Sequence, residues 1–209
     1  MFDDQINTIK GHSKFNLKEK SSEFIAEVFP IQDEESAINN LNLIKKKYFD
    51  ASHHCFAYLT HNELSKYSDD GEPNGTAGIR IMNAIRHFDL TDLILVVTRY
   101  FGGIKLGVGP LGKAYYKASI SVLEQSEIVK LTLFQVVQIK SDFNYISQIH
   151  RLAAFYQARI VNTQFAEMAN FECYVKPQTI KNFTSELINV SNGNILISAN
   201  ENFIYQKCD

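Results

Sequence analysis

Residues 93–98, Leu-Ile-Leu-Val-Val-Thr, are an apolar run with no polar alternation. Such a run is a strand buried on both faces, so it belongs near the middle of a sheet that is covered on both sides. It continues through Arg99, Tyr100 and Phe101 into a loop holding Gly102, Gly103, Gly107 and Gly109. The covering helices are legible around it. Asp33 reads as an N-cap, with Glu34 and Glu35 in the first turn and Lys45, Lys46 and Lys47 near the last, a polarity that complements the helix dipole. Ala37, Leu41, Ile44 and Tyr48 recur at helical spacing. Thr76 is placed to cap a second helix running to about His87, and Pro110 suits the first turn of a third running to about Gln125. Further strands are expected at 24–31 and 55–60, whereas the stretch to about Glu19 is polar and reads as partly mobile.

The texture changes at Leu131. Residues 131–139 alternate like a strand, and Asp142 is placed to cap a helix to about Gln157. Strands follow at 159–165 and 169–175, then a helix at 178–190 that Gly193 stops, then a strand at 194–198. The order βαββαβ in about 80 residues suggests a ferredoxin-like domain. The expected boundaries are 1–129 for the first domain and 130–209 for the second.

Composition narrows the function. Of 209 residues, 45% are hydrophobic and 21% charged, enough for a real core. No apolar run reaches the roughly 18–20 residues that a spanning helix needs. The start, Met1-Phe2-Asp3-Asp4-Gln5, does not read as a secretory signal. Cys55, Cys173 and Cys208 are widely spaced and odd in number, so a reduced, cytoplasmic chain without structural zinc is expected. Net charge is −2. Residues 1–130 carry 15 basic and 17 acidic side chains and residues 131–209 carry 6 of each, so any nucleic-acid binding must come from a local patch.

Two blocks carry chemistry. In Ser68-Asp-Asp-Gly-Glu-Pro-Asn-Gly-Thr-Ala-Gly78, the carboxylates Asp69, Asp70 and Glu72 lie within four residues. They are spaced either to hold Mg²⁺ with a substrate phosphate or to serve as a general base. Turn chemistry alone also explains them, since Asp-Gly is a turn dipeptide and acids ahead of a helix steady its positive end. In the second block, glycines between a strand and a helix let backbone N–H groups approach an anion. Arg99, Lys105, Lys113 and Lys117 supply positive charge, and no Asp or Glu lies between Leu93 and Leu123. A tight connection with solvated lysines is the plain alternative. Tyr100 and Phe101 are adjacent, so both cannot face one strand surface, and an exposed ring there would stack on a base. Gly107-Val-Gly-Pro-Leu-Gly112 matches GxGxxG by letter, but the strand ends several residues earlier and Pro110 interrupts it, which excludes a dinucleotide fold. His53, His54 and Cys55 form a further cluster, read either as a nucleophile or metal group or, more simply, as the start of a core strand.

These strings resemble the YigZ/IMPACT family. Lys20–Ala26, Ala51–Tyr58, Ser68–Gly78 and Val97–Gly107 all match its signatures. The resemblance implies an N-terminal left-handed βαβ domain like domain IV of elongation factor G. For the second half it implies a ferredoxin-like domain similar to domain V of that factor. It links the chain to translation control and to RNA or ribosome binding, with further protein partners left open. Eukaryotic members inhibit activation of the starvation-responsive kinase of initiation factor 2. That role is tied to an RWD domain outside these strings and is not carried over.

Two departures are visible. Arg80 stands where the family commonly has proline. Pro110 and Lys113 stand in a stretch where the family has glycine and arginine. Pro110 removes a backbone donor, and Lys113 keeps the charge without the bidentate fork. The binding residues expected are Arg99, Tyr100, Gly102, Gly103, Lys105, Lys113 and Lys117. The expected cofactor is none. The alternative is a Mg²⁺-dependent enzyme acting on a phosphorylated small molecule, with Asp70, Glu72 and His53 as catalytic candidates.

Overall fold

A computed structural model describes residues 3–207. Met1, Phe2, Cys208 and Asp209, which enter the expectations on the leader and the cysteines, lie outside the described residues. The chain divides into two compact units, one ending at Lys130 and the other beginning at Leu131.

The first unit contains β1 (Gln5–Ile9), β2 (Ser13–Glu19), β3 (Ser22–Pro30), α1 (Glu34–Lys47), β4 (His53–Leu59), β5 (Ser65–Ser68), α2 (Gly78–His87), β6 (Leu93–Tyr100) and α3 (Val108–Glu124). Its main sheet has the order β2-β3-β6-β4-β5 with all neighbours antiparallel. The apolar run is therefore central, as its lack of alternation requires. Helix α1 links β3 to β4 while β6 lies between them, so β3 and β4 are parallel to each other with one strand inserted. Strand alternation sends Phe24, Ala26, Cys55, Ala57, Leu95 and Val97 toward α2 and α3. It sends Phe56, Tyr58, Ile94 and Val96 toward α1. The Asp33 side chain accepts from the Ser36 backbone N–H at 2.7 Å, and the Ser36 hydroxyl closes the box.

The stretch before Glu19 is ordered into two strands. Its polarity is that of an edge: β2 pairs with β3 along its whole length and turns Leu17 inward, while β1 buries Ile9. Residues 65–68, expected as loop, pair with β4 for the same reason.

The second unit contains β7 (Ile128–Ser141) from Leu131 onward, α4 (Ile146–Phe155), β8 (Arg159–Phe165), β9 (Ala169–Val175), α5 (Pro177–Val190) and β10 (Leu196–Lys207). A single 3₁₀ turn, Phe143–Tyr145, precedes α4, and Asp142 makes no side-chain cap there. β10 pairs with β7, β7 with β9 and β9 with β8, all antiparallel, which is the ferredoxin-like order 4-1-3-2. Helices α4 and α5 cover one face, packing on Val137, Ile139, Phe171, Cys173 and Val175.

Candidate functional site

The site forms at one end of the first unit's sheet. Register places Arg99 of β6 opposite Phe24 of β3 on one side and His53 of β4 on the other. These three side chains share the α2/α3 face, because strand residues two apart point the same way. The β5–α2 loop, which is the acidic turn, folds over this row.

The Glu72 carboxylate is the centre of the contact. Its Oε1 accepts from Arg99 Nη1 at 2.5 Å and from the Tyr115 hydroxyl of α3 at 2.8 Å. Its Oε2 lies 3.8 Å from His53 Nε2. Glu72 is 9% exposed and Arg99 5%, so this pair sits in low dielectric, where it is strong only because both partners are present. Arg99 Nη2 also donates to Ser22 Oγ at 3.2 Å. Its guanidinium lies between two rings, 5.3 Å from Phe24 and 5.4 Å from Phe101. The Cys55 Sγ–H faces the Tyr115 hydroxyl at 3.3 Å and the Asp69 carbonyl at 3.0 Å. Burial pushes this thiol well above the ordinary cysteine range, and burial does the same to Tyr115. Neither is an activated group.

The other carboxylates of the turn are also committed. Asp69 Oδ1 accepts from the N–H groups of Ala77 and Gly78, and Oδ2 from that of Gly75, all within 2.9 Å. It therefore caps α2 from eight residues upstream. Thr76, the expected cap, instead donates its hydroxyl to the Pro73 carbonyl. Local spacing favours a Thr cap, but the tight turn brings Asp69 nearer to the free N–H groups. Asp70 Oδ2 accepts from the His54 N–H at 2.6 Å, and the Asp70 carbonyl accepts from His53 Nδ1 at 2.8 Å. Among the described residues, no group of three or more His, Cys, Asp and Glu side chains is disposed to hold a metal ion. The turn is a brace between α2, β4 and β6.

The two signature blocks thus meet directly, yet Arg99 is held inside the contact and does not reach solvent. What faces outward is the loop from Phe101 to Gly109. Phe101 is 46% exposed, with Ile104 and Val108 also exposed. Lys105, Lys113 and Lys117 are exposed. Tyr100 turns to the opposite face and donates to Asp50 at 2.7 Å, a hydrogen bond that pushes its hydroxyl up to about 12. Gly102 must be glycine, because a Cβ there would lie 1.8 Å from the Ser21 carbonyl oxygen. Gly103 has φ +83 with open space around it. Helix α3 starts from Gly107 without a side-chain cap, so its first N–H groups are left to solvent or a ligand.

Sequence reasoning assigned no role to Tyr115, Ser22 or Phe24. Tyr115 carried a signal: it lies four residues after Leu111 on the buried face of α3, and a buried tyrosine needs a partner for its hydroxyl. Ser22 and Phe24 carried none beyond starting a strand.

Comparison with known proteins agrees with this architecture. Residues 20–123 match the profile described as the Impact N-terminal domain, and residues 139–194 match a domain of unknown function, DUF1949. The chain is similar to the IMPACT family member YvyE of Bacillus subtilis (32% identity, covering 87% of this chain and 88% of that one). It is also similar to YigZ of Escherichia coli (26%, covering 87% and 91%). A solved structure titled "Crystal structure of an hypothetical protein" superposes with a TM-score of 0.70 over 95% of this chain and 98% of that one, at 24% identity, which speaks for the fold alone. With a relative above 30% identity over most of both lengths, and with both domains matched in order, the chain belongs to the IMPACT family.

Proposed function

We propose that this chain is a translation-linked regulatory protein that binds RNA, on the ribosome or free, through the loop from Phe101 to Gly109 and the start of α3. The observation that carries the reading is the division of labour at the site. The buried Glu72–Arg99–Tyr115 contact fixes a loop whose exposed part offers one aromatic ring and whose charged side chains are all positive. Lys105, Lys113 and Lys117 would meet phosphates, and Phe101 would stack on a base. Arg99 and Gly102 would act by positioning: Arg99 backs the Phe101 ring, and Gly102 lets the loop lie against Ser21. Gly103 and Tyr100 would shape the same turn. The family's link to translation control supports the context. The Mg²⁺-dependent enzyme reading requires Asp70 and Glu72 to be available, and both are engaged in holding the fold.

The test is co-sedimentation with ribosomes, and binding of single-stranded RNA, across a salt series for wild type and Lys105→Ala/Lys113→Ala. Each single-strand phosphate contact contributes about −0.7 to the slope of log K against log salt, so losing two contacts should flatten the slope by about 1.4. An unchanged slope and affinity in the double variant would overturn the proposal.

A further inference from the structure

On the face of the second unit's sheet turned away from α4 and α5, side chains of β7, β9 and β10 line a cleft. Strand β7 contributes Val136 and Gln138, β9 contributes Glu172 and Tyr174, and β10 contributes Asn202 and Ile204. Its volume is about 220 Å³. That suits one heterocycle and is below the roughly 300–1,000 Å³ of a pocket for a drug-sized ligand.

Register fixes this arrangement. Gln138 pairs with Glu172 and Val136 with Tyr174, so all four point away from α4 and α5. Tyr174 is partly exposed and is backed by Phe134, whose ring centroid lies 6.4 Å away. Phe134 is itself buried, with the Arg159 guanidinium 5.4 Å from its ring. Gln138 Nε2 donates to Glu172 Oε2 at 2.7 Å. This bond uses a donor of the Gln138 amide and leaves Glu172 Oε1 and the Gln138 carbonyl as acceptors. Lys140 lies farther along the same face of β7, opposite Asn170, while Arg159 lies opposite Tyr174 at the other end.

We propose that this cleft takes a guanine base of single-stranded RNA, stacked on Tyr174 with its donor edge on Glu172 and Gln138. An aromatic side chain on the open face of a four-stranded sheet is one known platform for stacking an unpaired base. Paired acceptors at the rim favour a base edge with adjacent donors, and guanine N1–H and N2–H₂ form one. Adenine and cytosine each offer a single amino group beside an acceptor nitrogen, and uracil a single N–H. Lys140, beyond one end of the cleft, is placed for a phosphate next to the base, whereas Arg159 beyond the other end already donates Nη1 to the Lys207 carbonyl at 2.8 Å. The carboxylate in the middle disfavours a phosphate there and so sets the register of the strand. This site is separate from the Phe101 loop and does not depend on it.

The experiment uses the full chain carrying Lys105→Ala/Lys113→Ala, which silences the loop proposed above. Fluorescence anisotropy with 5′-labelled UGU, UAU and UCU trinucleotides reads the affinity, and circular dichroism checks folding. UGU should bind tightest. Tyr174→Ala should weaken it about 5- to 150-fold, the range for loss of one stacked base. Tyr174→Phe should retain the affinity, and Glu172→Gln should erase the preference for UGU while the fold stays intact. Equal affinity for the three trinucleotides, or no binding, overturns the assignment even if the loop proposal stands. Guanosine monophosphate competing at the same affinity as UGU overturns RNA as the source of the base.

Discussion

Replacing Arg99 with alanine separates an anchor from a phosphate contact, which the sequence alone leaves indistinguishable. In the structure Arg99 is 5% exposed and its charge is met by Glu72, itself 9% exposed. Removing one member of a buried pair leaves the other charge desolvated without compensation, at a cost of about 3–5 kcal/mol. The change also empties the space between the Phe24 and Phe101 rings and leaves Ser22 without its guanidinium partner. For a unit of this size, about 3–5 °C of melting temperature per kcal/mol gives a fall on the order of 10–25 °C. The assay is urea and thermal unfolding of Arg99→Ala, Glu72→Leu and Arg99→Met/Glu72→Leu. The double variant should recover part of the loss, because no charge is left stranded. Recovery should be incomplete, since Tyr115 loses its acceptor. Stability within about 0.5 kcal/mol of wild type for Arg99→Ala, an effect typical of surface positions, would refute the argument. Combined with lost RNA affinity, it would restore Arg99 as a direct phosphate contact.

Further outcomes follow from single contacts. Gly102→Ala should destabilise the first unit more than Gly103→Ala, by chemical denaturation, because the former drives a Cβ into the Ser21 backbone whereas the latter meets only backbone strain of about 1–2 kcal/mol. Cys55 and Cys173 should resist thiol reagents at pH 8 in the native state and react in urea, read by peptide mass. Burial pushes the Cys55 thiol far up and the Cys173 thiol to about 12, so rapid native labelling of either would contradict the packing. Glu27 sits beneath α1, where burial alone would raise its carboxyl. The Tyr48 hydroxyl, the Lys47 ammonium and His12 outweigh burial and hold it below the ordinary value of 4.5. A lowered folded-state pKa means stability that is present above the unfolded value and lost as pH falls through the folded one. Glu27→Gln should therefore lower the urea midpoint at pH 7, and the gap to wild type should narrow below about pH 4.5. A gap independent of pH would contradict that linkage.

The elements with strong local signals were readable from the chain. The β6 run had no alternation, α1 had its cap, charge polarity and apolar spacing, and the βαββαβ order of the second unit was visible from its turns. The first two strands and β5 were not, because edge strands are polar and draw their hydrogen bonds from a neighbour that local sequence does not show. The α2 cap was misplaced for a related reason: Asp69 reaches Ala77 and Gly78 only through the shape of the intervening turn.

The site divides along the same line. Sequence by itself determined that a glycine loop, a run of positive side chains without acids and an acidic turn exist in one half of the chain, since composition and glycine conformational freedom are local properties. Only the tertiary structure decided which charges remain available. Strand register sets Arg99 beside His53 and Phe24, the turn lowers Glu72 onto it, and α3 supplies Tyr115 from a distant part of the chain. Burial then turns an arginine and a glutamate that read as ligand-binding groups into a mutual anchor. It leaves Phe101 and three lysines facing solvent, because a desolvated charge is tolerable only when its partner is desolvated with it.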